Sequence, residues 1–288
     1  MIRLVTKPGT IPDTDSATFS EVLALIEDQP PDARTLYYRW EREQWEVSII
    51  DLSRDIGDWA AIDEATRKSL CAALACVVPP GEKLGKLLVP YVDAVESEEQ
   101  QVFLTSQLVD QARSVVFGTR LTTELGMTLE PNGGIDQLLD LVQARGDEVR
   151  VKREQNETLY EGILIHNIMY EGVISTAFLS ALGGYLEGSV TFPGLRAGLV
   201  SLTRDLTRHV LFAIRLLQEA IDRDRGSNAG AIESAVEISL PLVSRSISSG
   251  AASTDDFAGL PFKNDDLSTT ALETFARRMQ DIRIDLPT

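Results

Sequence analysis

A chain of 288 residues, 43% of them apolar, has enough material for one large core, and a formal charge of −17 sets it against nucleic acid phosphates and anionic membrane surfaces. Two cysteines exclude a disulfide framework, and Cys71 and Cys76, five residues apart, read as small buried residues of a reducing compartment. The first ten residues hold no apolar run of signal-peptide length and no stretch of eighteen uncharged apolar residues occurs, so the expectation is a cytoplasmic protein, residues 1–288 as a single domain, with neither nucleic acid nor membrane as partner.

Apolar residues recurring at i, i+3, i+4 and i+7 predict helices over 36–60, 64–78, 82–125, 134–183 and 195–224, and little of the chain alternates as a strand does. Breakers fall between them at Pro79-Pro80-Gly81, around Pro131, and at Pro193-Gly194; Gly118 and Gly183-Gly184 are further breaks in the pattern. In the last of these helices Leu199, Leu202, Leu206, Val210, Ala213 and Leu217 form one stripe, and Arg204, Arg208 and Arg215 are expected to turn away from it. Residues 226–288 read as a C-terminal extension, with a mobile loop at 244–266 rich in Ser, Ala, Gly and Asp and a short helix at about 268–283. Glu96, Glu98 and Glu99 mark a solvated helix start, and Glu154, Glu157 and Glu161 an exposed helix end.

Polar residues on the apolar faces carry the chemistry. The two histidines of the chain, His166 and His209, both lie in core helices, and Glu171 follows Ile168-Met169-Tyr170 on an apolar helix. A carboxylate placed there needs a counter-charge, strong hydrogen bonds or a metal ion, because burying it alone costs several kcal/mol. No glycine-rich phosphate loop, Cys-x-x-Cys pair or Gly-x-Ser-x-Gly elbow is present.

Three segments, Trp40-Glu41-Arg42-Glu43-Gln44-Trp45 with its continuation to Trp59, Tyr170-Glu171-Gly172-Val173, and Arg204-Asp205-Leu206-Thr207-Arg208-His209, resemble the ribonucleotide reductase small-subunit superfamily, especially its ligand-binding oxidase branch. The likeness covers about 35–225. It implies an all-α, ferritin-like helical bundle whose central helices hold two metal ions through four carboxylates and two histidines, oxygen activation by iron or manganese, and a homodimer.

Carried across residue by residue, the ligand pattern is half intact. Glu82 and Glu171 supply two carboxylates and His209 one imidazole, whereas Gln111, Ser114 and Leu206 stand where a glutamate, a histidine and a glutamate are expected. The resemblance therefore implies at most one Fe or Mn ion, on Glu82, Glu171 and His209, with Gln111 as a neutral fourth ligand. Pro79 and Pro80 give Glu82 an alternative as a first-turn carboxylate. His209 has its own alternative, a neutral imidazole hydrogen-bonded to Glu171 or a carbonyl. Asp205, four residues before His209, is placed beside the site as a supporting partner or, with a register shift, a substitute ligand. His166, five residues before Glu171, stands where the resemblance expects a cross-linked tyrosine; it and Tyr170 are the candidate catalytic residues, His166 as a general base, with metal coordination or space filling through a hydrogen bond as its alternatives and core packing as that of Tyr170. Trp40 and Trp45 read as packing residues on a helix suited to electron delivery. Three functions follow: an oxidoreductase of the ligand-binding oxidase type acting on a small or fatty apolar molecule, a metal-free binding or scaffold protein, or a metal-independent acid–base enzyme.

Overall fold

The computed structural model describes residues 18–27, 30–79, 84–130, 132–151, 156–188, 191–248, 257 and 259–284. Among them the regular structure is wholly helical, in agreement with the expected all-α, ferritin-like bundle. The helices are α1 Phe19–Ala24, α2 Ala33–Arg42, α3 Ser53–Ala61, α4 Glu64–Val77, α5 Leu84–Leu87, α6 Val89–Ala94, α7 Glu98–Glu124, α8 Gly133–Val151, α9 Asn156–Ile163, α10 Thr176–Glu187, α11 Pro193–Arg223, α12 Arg225–Ser248 and α13 Asn264–Asp281. Between α9 and α10 the same rod continues as a π-helix, Leu164–Ser175.

Two of the expected runs are broken. The segment 36–60 is interrupted after α2, where Glu43 leaves the helical region, and α3 starts only at Ser53. The run 82–125 is divided because Pro90 opens α6, Val95 is extended, and the Ser97 hydroxyl caps α7 by accepting from the Gln100 amide. Glu98 and Glu99 then lie in the first turn of α7, where carboxylates favour the helix dipole. At the other end, helix extends past the expected limit of 225: α12 reaches Ser248, five residues into the expected mobile loop, because Ile232, Ala235, Val236, Val243 and Ile247 are buried along it. Residues 249–256 of that loop lie outside the described residues.

The rod from Asn156 to Glu187 is long and apolar enough to cross a membrane, and its apolar window is entirely buried in the bundle. A central helix meets the length and composition test simply because neighbours cover it on every side. It packs against α8, α11, α12 and α13, and α11 in turn meets α7 and α2. Close approach at its N-terminal end depends on Gly162: a Cβ there would sit 2.2 Å from the Tyr91 hydroxyl, which donates to the Val142 carbonyl at 2.6 Å. Gly162→Ala is expected to cost about 2–3 kcal/mol through overpacking and loss of that buried hydrogen bond. Urea denaturation of the variant against the wild type checks this.

Candidate functional site

Three rods bring the polar residues together: α7, α11 and the π-helix. α11 is buried on most of its circumference, with Thr203, Asp205, Leu206, Thr207, Arg208, His209 and Val210 all covered. The expectation that Arg208 turns outward with Arg204 and Arg215 is therefore wrong for Arg208, which is 2% exposed. A one-sided stripe describes a surface helix, and α11 is a central one.

The π-helix decides the relation of His166 to Glu171. In an α-helix a step of five residues leaves two side chains about 140° apart. The wider i to i+5 turn restores them to one face, and His166 Nδ1 lies 4.0 Å from Glu171 Oε2. Thr176 Oγ1 donates to the Glu171 carbonyl at 3.0 Å, five residues back, where the π register ends.

His209 is held between two carboxylates. Its Nε2 lies 3.0 Å from Asp110 Oδ2 and its Nδ1 3.1 Å from Glu171 Oε1. Asp110 is already the centre of a cluster: Arg208 and Arg113 both form ion pairs with it, and the Trp40 indole donates to Oδ1 at 2.8 Å. Arg208 is fixed further by Ser106 Oγ at 3.0 Å and by the Phe103 ring, 4.9 Å from its guanidinium carbon. Asp205 repeats the arrangement beside it, accepting from the Trp45 indole at 2.8 Å and from Arg113 at 3.3 Å. Both tryptophans thus brace carboxylates of the site as well as packing.

Asp110, Arg113 and Arg208 were not singled out from the sequence. Asp110 and Arg113, at i and i+3, have the spacing of a helical ion pair, which was the available signal. Arg208 left none, since its partner comes from another helix 98 residues away in the chain.

Burial and neighbouring charges shift the titration of the cluster. Burial raises the Glu171 carboxyl against the pull of His209, with Asp205 adding to the rise. Burial likewise pushes Asp205 up to about 6, countered by Arg113 and by the Trp45 hydrogen bond. His209 is driven down to about 4 by burial, which outweighs Glu171, and Arg208 is lowered to about 9. Three carboxyl groups, Asp110, Asp205 and Glu171, face the guanidiniums of Arg113 and Arg208, and Glu43, Arg204 and Arg39 also act on Asp205 or Arg208. With the His209 proton on Nε2, the imidazole donates to Asp110 and leaves Nδ1 to accept from Glu171 in its protonated form. Asn167 Nδ2 lies 3.4 Å from both Glu171 Oε2 and the His209 carbonyl and links the pair.

His166 is completely buried and lowered to about 4 by burial. The Gln111 amide nitrogen is 3.1 Å from its Nε2, and Asn167 Oδ1 is 3.3 Å from its Nδ1. Both contacts are satisfied by one tautomer, with the proton on Nδ1. Tyr170 packs edge-on to His166 and donates to the Val77 carbonyl at 3.3 Å. Burial raises its phenol. Among the described residues Gln111 Oε1 finds no hydrogen-bond partner.

A cavity of about 40 Å³ is lined by Gln111, Ser114, Tyr170, Glu171, Asp205, Leu206 and His209 together with Val77, Leu84, Leu179 and Leu202. Of the residues selected from the sequence, Gln111, Ser114, Tyr170, Glu171, Asp205, Leu206 and His209 line this cavity, His166 lies behind Gln111, and Glu82 lies outside the described residues. α4 ends at Val77, so the helix stops just before Pro79.

These donors do not fit a two-metal centre. Two cations close together need several free anionic oxygens. Here Asp110 is met by two guanidiniums, both His209 nitrogens are engaged, and Ser114 and Leu206 supply no charge. Among the described residues no three His, Cys, Asp or Glu side chains are grouped to hold a metal ion.

No protein-family model matches the chain, and no curated protein matches it by sequence. Solved structures do match. An R2-like ligand-binding oxidase variant with an anaerobically reconstituted Mn/Fe cofactor superposes with a TM-score of 0.78 at 20% identity, over 90% of this chain and 95% of that one. Two further variants of an R2-like ligand-binding oxidase, with aerobically reconstituted Mn/Fe cofactor, give TM-scores of 0.78 and 0.77 at 19% identity, over 90% of this chain and 95% and 98% of theirs. At that identity the likeness shows the fold alone: the chain has the ferritin-like helical-bundle fold on which the R2-like ligand-binding oxidases superpose.

Proposed function

We propose that this chain uses the oxidase-type bundle for metal-independent acid–base chemistry on a small apolar molecule, with Glu171 and His209 sharing one proton. The observation that carries this reading is His209 bridging Glu171 and an Asp110 already neutralised by arginine. An imidazole so fixed passes a proton to or from Glu171 without moving, and Arg208 and Arg113 supply the positive charge that assembles the cluster. Val77, Leu84, Leu179, Leu202 and Leu206 give the cavity an apolar wall opposite the pair. At about 40 Å³ it admits a few atoms, the reacting end of a molecule. His166 holds Gln111 in place and is a positioning residue in this scheme.

The test is the protonation state. ¹⁵N imidazole shifts are expected to show His209 neutral with its proton on Nε2, and His166 neutral with its proton on Nδ1, from pH 5.5 to 8. Glu171→Gln, which keeps shape and neutrality, is expected to leave stability within about 1 kcal/mol of wild type. A His209 that titrates near 6.5, or a loss of several kcal/mol in Glu171→Gln, would show that Glu171 is an anion with another partner.

One observation favours a second reading, an oxidoreductase with a single ion on Glu82, Glu171 and His209. Gln111 Oε1, buried and without a hydrogen-bond partner among the described residues, belongs to a residue that lines the same cavity and suits a cation as well as a water. Metal content separates the two readings.

A further inference from the structure

Three core side chains settle one another's direction. The His209 carbonyl can only accept, and Asn167 Nδ2 lies 3.4 Å from it, so the Asn167 amide turns its nitrogen to that carbonyl and its oxygen away. Asn167 Oδ1 is 3.3 Å from His166 Nδ1, and an amide oxygen there requires the imidazole proton on Nδ1. His166 Nε2 is then a bare acceptor and takes a hydrogen from the Gln111 amide nitrogen at 3.1 Å. A backbone carbonyl of α11 thus fixes, through two further side chains, which way the Gln111 amide is turned. Its nitrogen is engaged by His166, behind it, and Oε1 is the atom left for the cavity that Gln111 lines. Oε1 is buried and, among the described residues, without a hydrogen-bond partner.

A second oxygen belongs to the same cavity. Ser175 closes the π-helix, lines the cavity and is 1% exposed, and its Oγ has no hydrogen-bond partner among the described residues. The Tyr170 phenol is close enough to feel this hydroxyl, but it donates to the Val77 carbonyl. An amide oxygen only accepts, whereas a hydroxyl can also donate. Together they ask for a group that does both.

We propose that the cavity is built for a neutral alcohol, whose O–H donates to Gln111 Oε1 and whose oxygen accepts from Ser175 Oγ. An ether accepts but cannot donate, and it leaves Oε1 buried and unpaired. A carboxylate also lacks the hydrogen, and it sets a negative charge beside Glu171 and Asp205 on the same cavity. An ammonium brings a full charge into a site whose remaining walls are Val77, Leu84, Leu179, Leu202 and Leu206. At about 40 Å³ the cavity takes the oxygen and the carbons next to it. The proposal deepens the acid–base reading and rests on it for the substrate's reacting end entering here; the choice of a hydroxyl comes from Gln111 and Ser175, not from the proton-sharing pair.

The test titrates the full chain with 1-hexanol and with its isomer 1-methoxypentane, which has the same atoms but no O–H, and follows binding by NMR shifts. The alcohol is expected to bind at least about tenfold more tightly. Gln111→Met keeps the length, removes the acceptor and is expected to bring the two within about threefold of each other. Ser175→Ala is expected to weaken both and preserve their ratio, because both oxygens accept from that hydroxyl. Equal binding of the isomers, a preference that survives Gln111→Met, or tighter binding of pentanoate or hexylammonium than of hexanol would each overturn the proposal. So would no binding of hexanol near its solubility limit, which would leave the cavity to water. The imidazole tautomers separate this proposal from the reading beneath it. A proton on His166 Nε2 would turn the Gln111 amide around and remove the acceptor, with the His209–Glu171 pair intact. A His209 that titrates near its ordinary value of about 6.5 would end the acid–base reading and leave the preference for the alcohol standing.

Discussion

Asp110→Asn is expected to lower the stability of the fold by about 3–5 kcal/mol, the cost of stranding a buried guanidinium. Arg208 is 2% exposed and pairs with Asp110; it also touches a serine hydroxyl, a phenylalanine face and the edge of His209, and the Glu43 carboxylate acts on its charge as well. Arg208→Met is expected to cost less, because Asp110 keeps Arg113, the Trp40 indole and His209. The double variant, in which charge and counter-charge leave together, is expected to recover most of the loss. Urea denaturation of the four proteins closes the cycle. Additive losses would mean that Arg208 and Asp110 do not depend on one another, and the cluster would lose its organising pair.

Acid is expected to destabilise the protein through its histidines. His166 is held near 4 in the fold and returns to about 6.5 when the chain unfolds. Between these values the unfolded chain binds the proton and the folded one does not. The stability contributed by keeping this imidazole neutral is complete above about pH 6.5 and lost as the pH falls toward 4, up to about 3 kcal/mol. His209 is shifted in the same direction. Asp205, raised to about 6, works against them: its folded form takes up a proton that the unfolded chain releases, so its penalty shrinks as the pH falls. Glu171 shares that sign. His166→Gln keeps a neutral hydrogen-bonding side chain and is expected to reduce the slope of stability against pH by up to about one proton between pH 4.5 and 6.5. Urea midpoints across that range measure it, and an unchanged slope would mean that His166 is not held neutral.

Much of the bundle was legible because helices half exposed to water write their buried face into the sequence at intervals of three and four. On α11 Leu199, Leu202, Leu206 and Val210 keep that spacing although the helix is covered on most sides, and α11 lies where they predict. The central rod was legible as a helix but not as a π-helix. Ile163 to Ile174 is apolar almost throughout and buried throughout, so no periodicity remains to report how many residues make a turn. The same holds for Arg208: on a helix covered on most sides, the residue opposite the stripe also faces protein.

The site was legible by its losses. Gln111, Ser114 and Leu206, against the pattern the chain resembles, mark where the centre would be, and all three line the cavity. What filled the loss was hidden. Asp110 is adjacent to Gln111 and Arg208 adjacent to His209, each one residue from a position already identified. Their pairing is made across two helices and depends on the rotation of both, which spacing along either one does not specify.

The claim that most needs testing is that a proton and two arginines, rather than a metal ion, balance the charge around His209. The direct measurement is elemental analysis of the chain purified from iron- and manganese-supplemented medium, expressed per chain and repeated for His209→Ala. The arrangement of Asp110, Arg208, His209 and Glu171 predicts no stoichiometric metal in either protein. One ion per chain, lost in the variant, would contradict it and establish the single-ion site, and two would show that ligands beyond the described residues complete a full centre.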